Sequence, residues 1–175
     1  MKLKYRTLYS SLLASYEKLS TCSRVQVAAM LVKNGTVVSV GYNGVASGET
    51  HCNELFHEID GKYYIGECCP PSDFETCRVT KEEFMRQHHE FSEKNEIHAE
   101  VNCLCRALNN HVDITDCDLV ISISPCSNCA KMIASAGIKN VYFKDVYDRS
   151  AEGIQFLKRQ GVHLYKFDEK TETEI

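Results

Sequence analysis

Apolar residues at Tyr5, Leu8, Tyr9, Leu12, Leu13 and Tyr16 recur three and four apart. That spacing lines one face of a helix and predicts one over Tyr5–Leu19. The period then changes. Val25–Val32 and Thr36–Val40 read as strands, with Lys33-Asn34-Gly35 between them as a hairpin signal. Further on, helical and strand patterns alternate: helix 98–109, strand Asp118–Ile123, helix 127–136, strand Asn140–Phe143, helix Arg149–Gln160 and strand Val162–Phe167. The order ββ-α-β-α-β-α-β implies a layered α/β domain. Its last two strands, joined by a helix, should run parallel. The polar tail Asp168–Ile175 is expected to fray.

Residues 44–95 resist this scheme. They hold Cys52, Cys68, Cys69, Cys77, His51, His57, His88, His89 and Pro70-Pro71, with little periodicity. So long an irregular stretch inside a compact domain needs something to organise it. No repeat, low-complexity tract or linker divides the chain, so a single domain over 1–175 with an irregular insertion at about 44–95 is expected. At 175 residues it can bury a substantial core without staples.

Composition narrows the function. Hydrophobic content of 43% and charged content of 25% are ordinary for a globular protein. A net charge of −4 shows no basic surplus for a nucleic-acid polymer. No apolar run is long enough for a membrane span, and Met1–Tyr16 lacks the continuous apolar core of a secretory signal. The 10 cysteines therefore suggest metal ligands in a reducing cytoplasm rather than disulfides.

The chemistry gathers at His98-Ala99-Glu100 and at Pro125-Cys126-Ser127-Asn128-Cys129, whose first cysteine lies 28 residues after the histidine. One imidazole and two thiolates give zinc three ligands and leave a fourth position for water. Cys126 and Cys129 open the 127–136 helix, whose N-terminal N–H groups and dipole favour thiolates. Residues two apart on a helix do not face each other, so His98 and Glu100 should flank a small molecule rather than bond together. Zinc lowers the pKa of water towards ~7, and a carboxylate within reach can take that proton and pass it on. Alone, a C-x-x-C is often a redox pair or half a structural zinc site, and a helical histidine is usually only a packed residue. The combination favours a catalytic zinc; a fourth protein ligand would make it a structural one.

These motifs carry the H-x-E…P-C-x-x-C signature of zinc deaminases. Over about residues 20–167 the chain resembles the deoxycytidylate (dCMP) deaminases of the cytidine deaminase superfamily, in their phage-type form. Beyond the zinc motifs, the resemblance rests on Cys22-Ser23-Arg24-Val25-Gln26-Val27-Ala28, Gly41-Tyr42-Asn43-Gly44, Lys94-Asn95-Glu96-Ile97 and Tyr147-Asp148. It implies a three-layer α/β/α fold around a central five-stranded mixed sheet. It also implies hydrolysis of dCMP to dUMP and ammonia for thymidylate synthesis, in a homo-oligomer, a hexamer, in the cytoplasm (the host's, if phage-encoded). Activation by dCTP, with Mg2+ accompanying the triphosphate, and inhibition by dTTP go with the family.

Carried over residue by residue, the resemblance makes His98, Cys126 and Cys129 the catalytic zinc ligands and Glu100 the proton carrier. It assigns Asn43 to the deoxyribose, Arg24 to the 5′-phosphate and Tyr147 to the pocket rim. The plain alternatives are a left-handed turn asparagine beside Gly44, a solvated surface arginine and a core tyrosine. The resemblance also implies a second, structural zinc held by Cys22, Cys52, His88 and Glu96, with Cys68, Cys69 and Cys77 as competing thiols. A closed four-ligand site contributes folding free energy and would pin the insertion.

Val27-Ala28-Ala29 departs from the family's Val-Gly-Ala, so an added methyl is expected to crowd its surroundings. Val45-Ala46 replaces the residues that usually follow Gly-Tyr-Asn-Gly, and Cys103–Asn109 is less alanine-rich than usual. Those departures touch the effector segments and the subunit contacts. Competing functions are a deaminase of cytidine, one of tRNA or single-stranded nucleic acid, and a zinc-stabilised binding module without turnover.

Overall fold

A computed structural model describes residues 1–67 and 76–175; Cys68, Cys69 and Pro70-Pro71 lie outside the described residues. In chain order the elements are α1 (Leu3–Glu17), β1 (Ala28–Lys33), β2 (Thr36–Tyr42), β3 (Gly44–Val45), α2 (Cys52–Leu55), β4 (Phe56–Ile59), β5 (Lys62–Ile65), β6 (Arg78–Val79), α3 (Lys81–Asn95), β7 (Glu96–Ile97), α4 (Ala99–Asn109), β8 (Asp118–Ile123), α5 (Ser127–Ser135), β9 (Asn140–Asp145), α6 (Ala151–Arg159), β10 (His163–Phe167) and β11 (Glu172–Glu174). They form two compact units. The first comprises Met1–Ser20, Val27–Tyr42 and His98–Ile175; the second comprises Thr21–Gln26 and Asn43–Ile97.

The first unit is built on a mixed sheet of order β11-β10-β9-β8-β1-β2. Strands β8, β9 and β10 run parallel, as their helical connections require. Strands β1 and β2 form the expected hairpin, with Asn34 and Gly35 both at positive φ (52° and 82°). Helices cover both faces, so β1 can be apolar throughout. Ala28, Met30 and Val32 pack towards Tyr9 and Leu13 of α1, while Ala29 and Leu31 pack in the core with Ala99, Cys103 and Ile133 of α4 and α5. That is the expected three-layer α/β/α class. The methyl of Ala28 joins the core beside α1, and its backbone is held from both sides by Ser122 Oγ.

Two expectations for this unit are corrected. The sheet has six strands rather than five, because residues 172–174 pair antiparallel with Tyr165–Phe167 instead of fraying. Asp168 turns the chain back: its carboxylate accepts from Lys170 N, Thr171 N and Thr171 Oγ1, and those backbone donors hold it below the usual carboxylate range. Leu8, assigned to the apolar stripe of α1, is 46% exposed, whereas Tyr9 and Leu13 are buried. Truncating a buried leucine such as Leu13 costs about 2–5 kcal/mol.

The second unit corrects the reading of residues 44–95 as irregular. Strands β4, β5 and β6 make a small antiparallel sheet, turned at Asp60-Gly61 with both residues at positive φ. Helix α3 begins at Thr80, whose hydroxyl accepts from Glu83 N at 3.2 Å. Its Phe84 and His88 are buried beside Phe56, with ring centroids 5.6 and 5.1 Å away in edge-to-face contact. Asn43 is not a left-handed turn residue, since it is absent from the positive-φ positions; the chain passes directly from it into β3, which pairs with β7.

Candidate active site

In the first unit, His98 is the N-cap of α4 and Cys126 the N-cap of α5, both with extended backbone. Pro125-Cys126 follows the carboxyl end of β8, an interior strand of the sheet. His98 Nδ1 lies 3.6 Å from Cys126 Sγ and 3.4 Å from Cys129 Sγ, and the three donor atoms cluster. A tetrahedral zinc with Zn–S near 2.3 Å and Zn–N near 2.05 Å separates sulfur and nitrogen by about 3.6 Å. The donor set therefore fits zinc in both chemistry and spacing. Among the described residues the cluster holds these three side chains and no fourth His, Cys, Asp or Glu.

The thiols share their charge unequally. Cys126 is held down to about 3, chiefly by its hydrogen bond with Cys129 and then by His98; Cys129 is pushed up as the partner that keeps the proton. Such a pair yields one thiolate readily, which suits metal capture.

Glu100 occupies the first turn of α4 and is only 5% exposed. Burial pushes its carboxyl up, opposed by its own backbone N–H, by His98 and by a hydrogen bond with Cys129. A buried carboxyl beside the metal donors, with raised proton affinity, is equipped to carry a proton.

Two contacts that sequence reading missed hold α4 in place. Asn102 donates from Nδ2 to Tyr42 O at 2.9 Å. At Gly41 of β2, a Cβ would stand 2.2 Å from Ala99 O. Only glycine permits that approach, one residue from both His98 and Glu100. The signal was available in Gly41, a glycine inside a strand pattern.

Of the expected substrate residues, Tyr147 sits half-buried in the first unit, in the loop after β9, its N–H donating to Ser124 Oγ at 2.8 Å. Asn43 and Arg24 belong to the second unit. Asn43 is buried and donates from Nδ2 to Val25 O at 2.9 Å; Arg24 is exposed.

The second unit also gathers metal donors. Cys22 Sγ and Cys52 Sγ lie 3.7 and 3.3 Å from His88 Nε2, all three residues buried. These separations again bracket the tetrahedral value. Ser23 N–H donates to Cys52 Sγ, and the backbone at Arg24 and Val25 bonds to Cys22. Hydrogen bonding between the sulfurs pushes Cys22 up and Cys52 down. The structure does not bring Glu96 into this cluster of three. One of its oxygens accepts from Ser92 Oγ at 2.6 Å; the other is buried without a hydrogen-bond partner. Cys77 lies outside the cluster.

A family model describing the cytidine and deoxycytidylate deaminase zinc-binding region matches residues 3–145. The chain belongs to that family. The deoxycytidylate deaminase of Enterobacteria phage T2 is 34% identical over 157 residues, covering 83% of each chain. Among solved structures, the dCMP deaminase of cyanophage S-TIM5 in complex with dCMP and dUMP is 29% identical, with a TM-score of 0.68 over 95% of this chain and 99% of that one. A tRNA:A34 deaminase acting at the wobble position is 17% identical with a TM-score of 0.51, over 93% of this chain and 98% of that one, and shares the fold alone. Among the described residues, no helix is long and apolar enough to cross a membrane.

Proposed function

We propose that this chain hydrolyses dCMP to dUMP and ammonia. The observation that carries the reading is the buried Glu100 carboxyl, bonded to Cys129 beside the His98–Cys126–Cys129 donor cluster. The substrate follows from the phage relatives named deoxycytidylate deaminase and the neighbour bound to dCMP and dUMP. When bound, zinc supplies the Lewis acidity that makes water a nucleophile near neutral pH. Glu100 takes one proton from the attacking water and passes it to N3 of the cytosine, then takes the second from the new C4 hydroxyl and gives it to the amine as the C4–N bond breaks and the C4 carbonyl forms. Asn43 bonds the deoxyribose, Arg24 pairs with the 5′-phosphate, and Tyr147 borders the base.

In this reading a second zinc is held by Cys22, Cys52 and His88 with Glu96 as the fourth ligand. Its support is the donor spacing and the orphaned, buried oxygen of Glu96. Residues 1–175 act as one deaminase domain with a metal-stapled insertion. The enzyme is a hexamer in the cytoplasm, its product feeds thymidylate synthesis, and dCTP with Mg2+ activates it while dTTP inhibits it. These finer points rest on the family resemblance.

The test compares turnover of dCMP, CMP, cytidine, dCTP and a cytosine-containing oligonucleotide. Preference for dCMP is expected; preference for cytidine or the oligonucleotide overturns the substrate. Glu100→Gln should lower kcat by about 10²–10⁴-fold while zinc is retained. A variant as active as the wild type removes the proton carrier from the reading.

A further inference from the structure

Between the end of β8 and the start of α6 lies a closed polar ring that the deamination chemistry above leaves unused. Ser124 Oγ donates to Ser150 Oγ at 2.7 Å, Ser150 Oγ donates to Tyr147 O at 2.6 Å, and Tyr147 N–H donates back to Ser124 Oγ at 2.8 Å. Ser124 is 1% exposed and Ser150 0%. A hydroxyl has one proton to give. Each serine gives its own inside the ring and accepts another member's there, so solvent has no share in the arrangement.

Ser150 stands at the N-cap of α6, where a serine ordinarily accepts from an N–H of its own helix. Its side chain makes no such bond. The hydroxyl is directed instead at the segment leading to the ligand cysteines. One turn along α6, a Cβ on Gly153 would stand 2.4 Å from Pro125 O and 2.9 Å from the carbonyl carbon of Cys126. Glycine there lets the helix backbone rest on the peptide that carries Cys126. Two independent contacts of one helical turn thus converge on Ser124-Pro125-Cys126.

We infer that Ser150 is a positioning residue for the His98–Cys126–Cys129 centre. Through Ser124, and with Gly153 beside it, it fixes the backbone from which Cys126 reaches the metal. Through Tyr147 it fixes the loop after β9. The inference deepens the deaminase reading and rests on it for its effect on rate, though not for its effect on the metal.

Ser150→Ala opens the ring and leaves the Ser124 hydroxyl and the Tyr147 carbonyl without these partners, whereas Ser150→Thr keeps a hydroxyl. The full zinc-loaded chain is titrated with a competing chelator, and the release step of this centre is identified by its loss in Cys129→Ala. For the same preparations kcat and KM for dCMP are measured separately. Disturbing groups that orient metal ligands typically costs 10–100-fold. Ser150→Ala should therefore weaken zinc retention and lower kcat by about tenfold or more, with KM moving far less. Ser150→Thr should restore most of both. Ser124→Ala breaks the same ring and should cost as much, and the double variant no more than either single one. Should Ser150→Ala fail to fold, Ser124→Ala carries the comparison. Zinc retention and kcat per bound zinc equal to the wild type's, or additive losses in the double variant, overturn the inference. A wild type that holds zinc without deaminating dCMP would instead refute the substrate, and the chelator measurement would still decide the role of Ser150.

Discussion

Replacing Gly41 with alanine asks how closely α4 must sit on the sheet for the centre to work. Gly41 lies in β2, paired with Ala29 of β1. An added Cβ would stand 2.2 Å from Ala99 O and 2.3 Å from Cys103 N, whereas ordinary contact begins near 3.4 Å. Both obstacles are backbone, so no side chain can swing aside. The start of α4 must retreat by about 1 Å, because packed interiors have no slack of that size. Ala99 lies between His98 and Glu100, so the displacement reaches the proposed metal ligand and the proposed proton carrier together. Misplacement of about 1 Å costs on the order of 10²-fold in rate, and the overpacking costs about 1–3 kcal/mol of stability. Gly41→Ala should therefore melt several degrees lower, still fold, and show kcat for dCMP reduced about a hundredfold. The measurements are thermal melting by circular dichroism and steady-state kinetics normalised to bound zinc. A variant with unchanged melting and unchanged kcat per zinc would refute the reasoning, since it would show that α4 can slide on β2 without consequence.

Three further outcomes follow from the packing. His88→Ala should lower the zinc-to-protein ratio by one and destabilise the second unit, in which Phe56 and Phe84 pack with His88; mass spectrometry under native conditions and proteolysis of the 44–97 region check this. Thr80→Ala removes the cap of α3 and should cost about 1 kcal/mol, read as a lower denaturant midpoint with an unchanged slope. Burial, reinforced by Asp118 and Glu172, pushes the Tyr142 hydroxyl above its ordinary 10.0. The folded state then keeps a proton that the unfolded chain releases, so stability is full below about pH 10 and falls as pH rises past it. Tyr142→Phe keeps the stack on Tyr165 at 4.7 Å and removes that loss. Its melting temperature should gain on the wild type's above about pH 10, and parallel curves would contradict the account.

Elements whose signal is local were legible. The stripe of α1, the Asn34-Gly35 hairpin and the alternation from α4 to β10 each lie where spacing and turn chemistry place them within a few residues. Helix α3 went unread although it carries a T-x-x-E start at Thr80–Glu83 and Phe84, His88 and Phe91 on one stripe. A histidine counted as polar interrupted that stripe, yet it faces inward among aromatic rings. The hairpin at Asp60-Gly61 has only four-residue strands and lies in a stretch rich in cysteine and histidine, so its apolar alternation is too short to stand out. Strand β11 has no apolar pattern of its own and exists because β10 offers it an edge.

The chain by itself determined the chemistry of its centre. Which atoms can hold zinc, and which carboxyl accompanies them, follow from residue types two and three apart at helix starts, and such spacing is a local property. The tertiary structure decided everything that needs distant segments to meet. It brings His98 to within 3.6 Å of a cysteine 28 residues away, seals Glu100 from water so that burial raises its proton affinity, and gathers Cys22, Cys52 and His88 from three separate segments. It also presses α4 onto Gly41 and α6 onto Pro125-Cys126. Distances of that kind are set by packed backbone and desolvation, and neither is a property of any short run of residues.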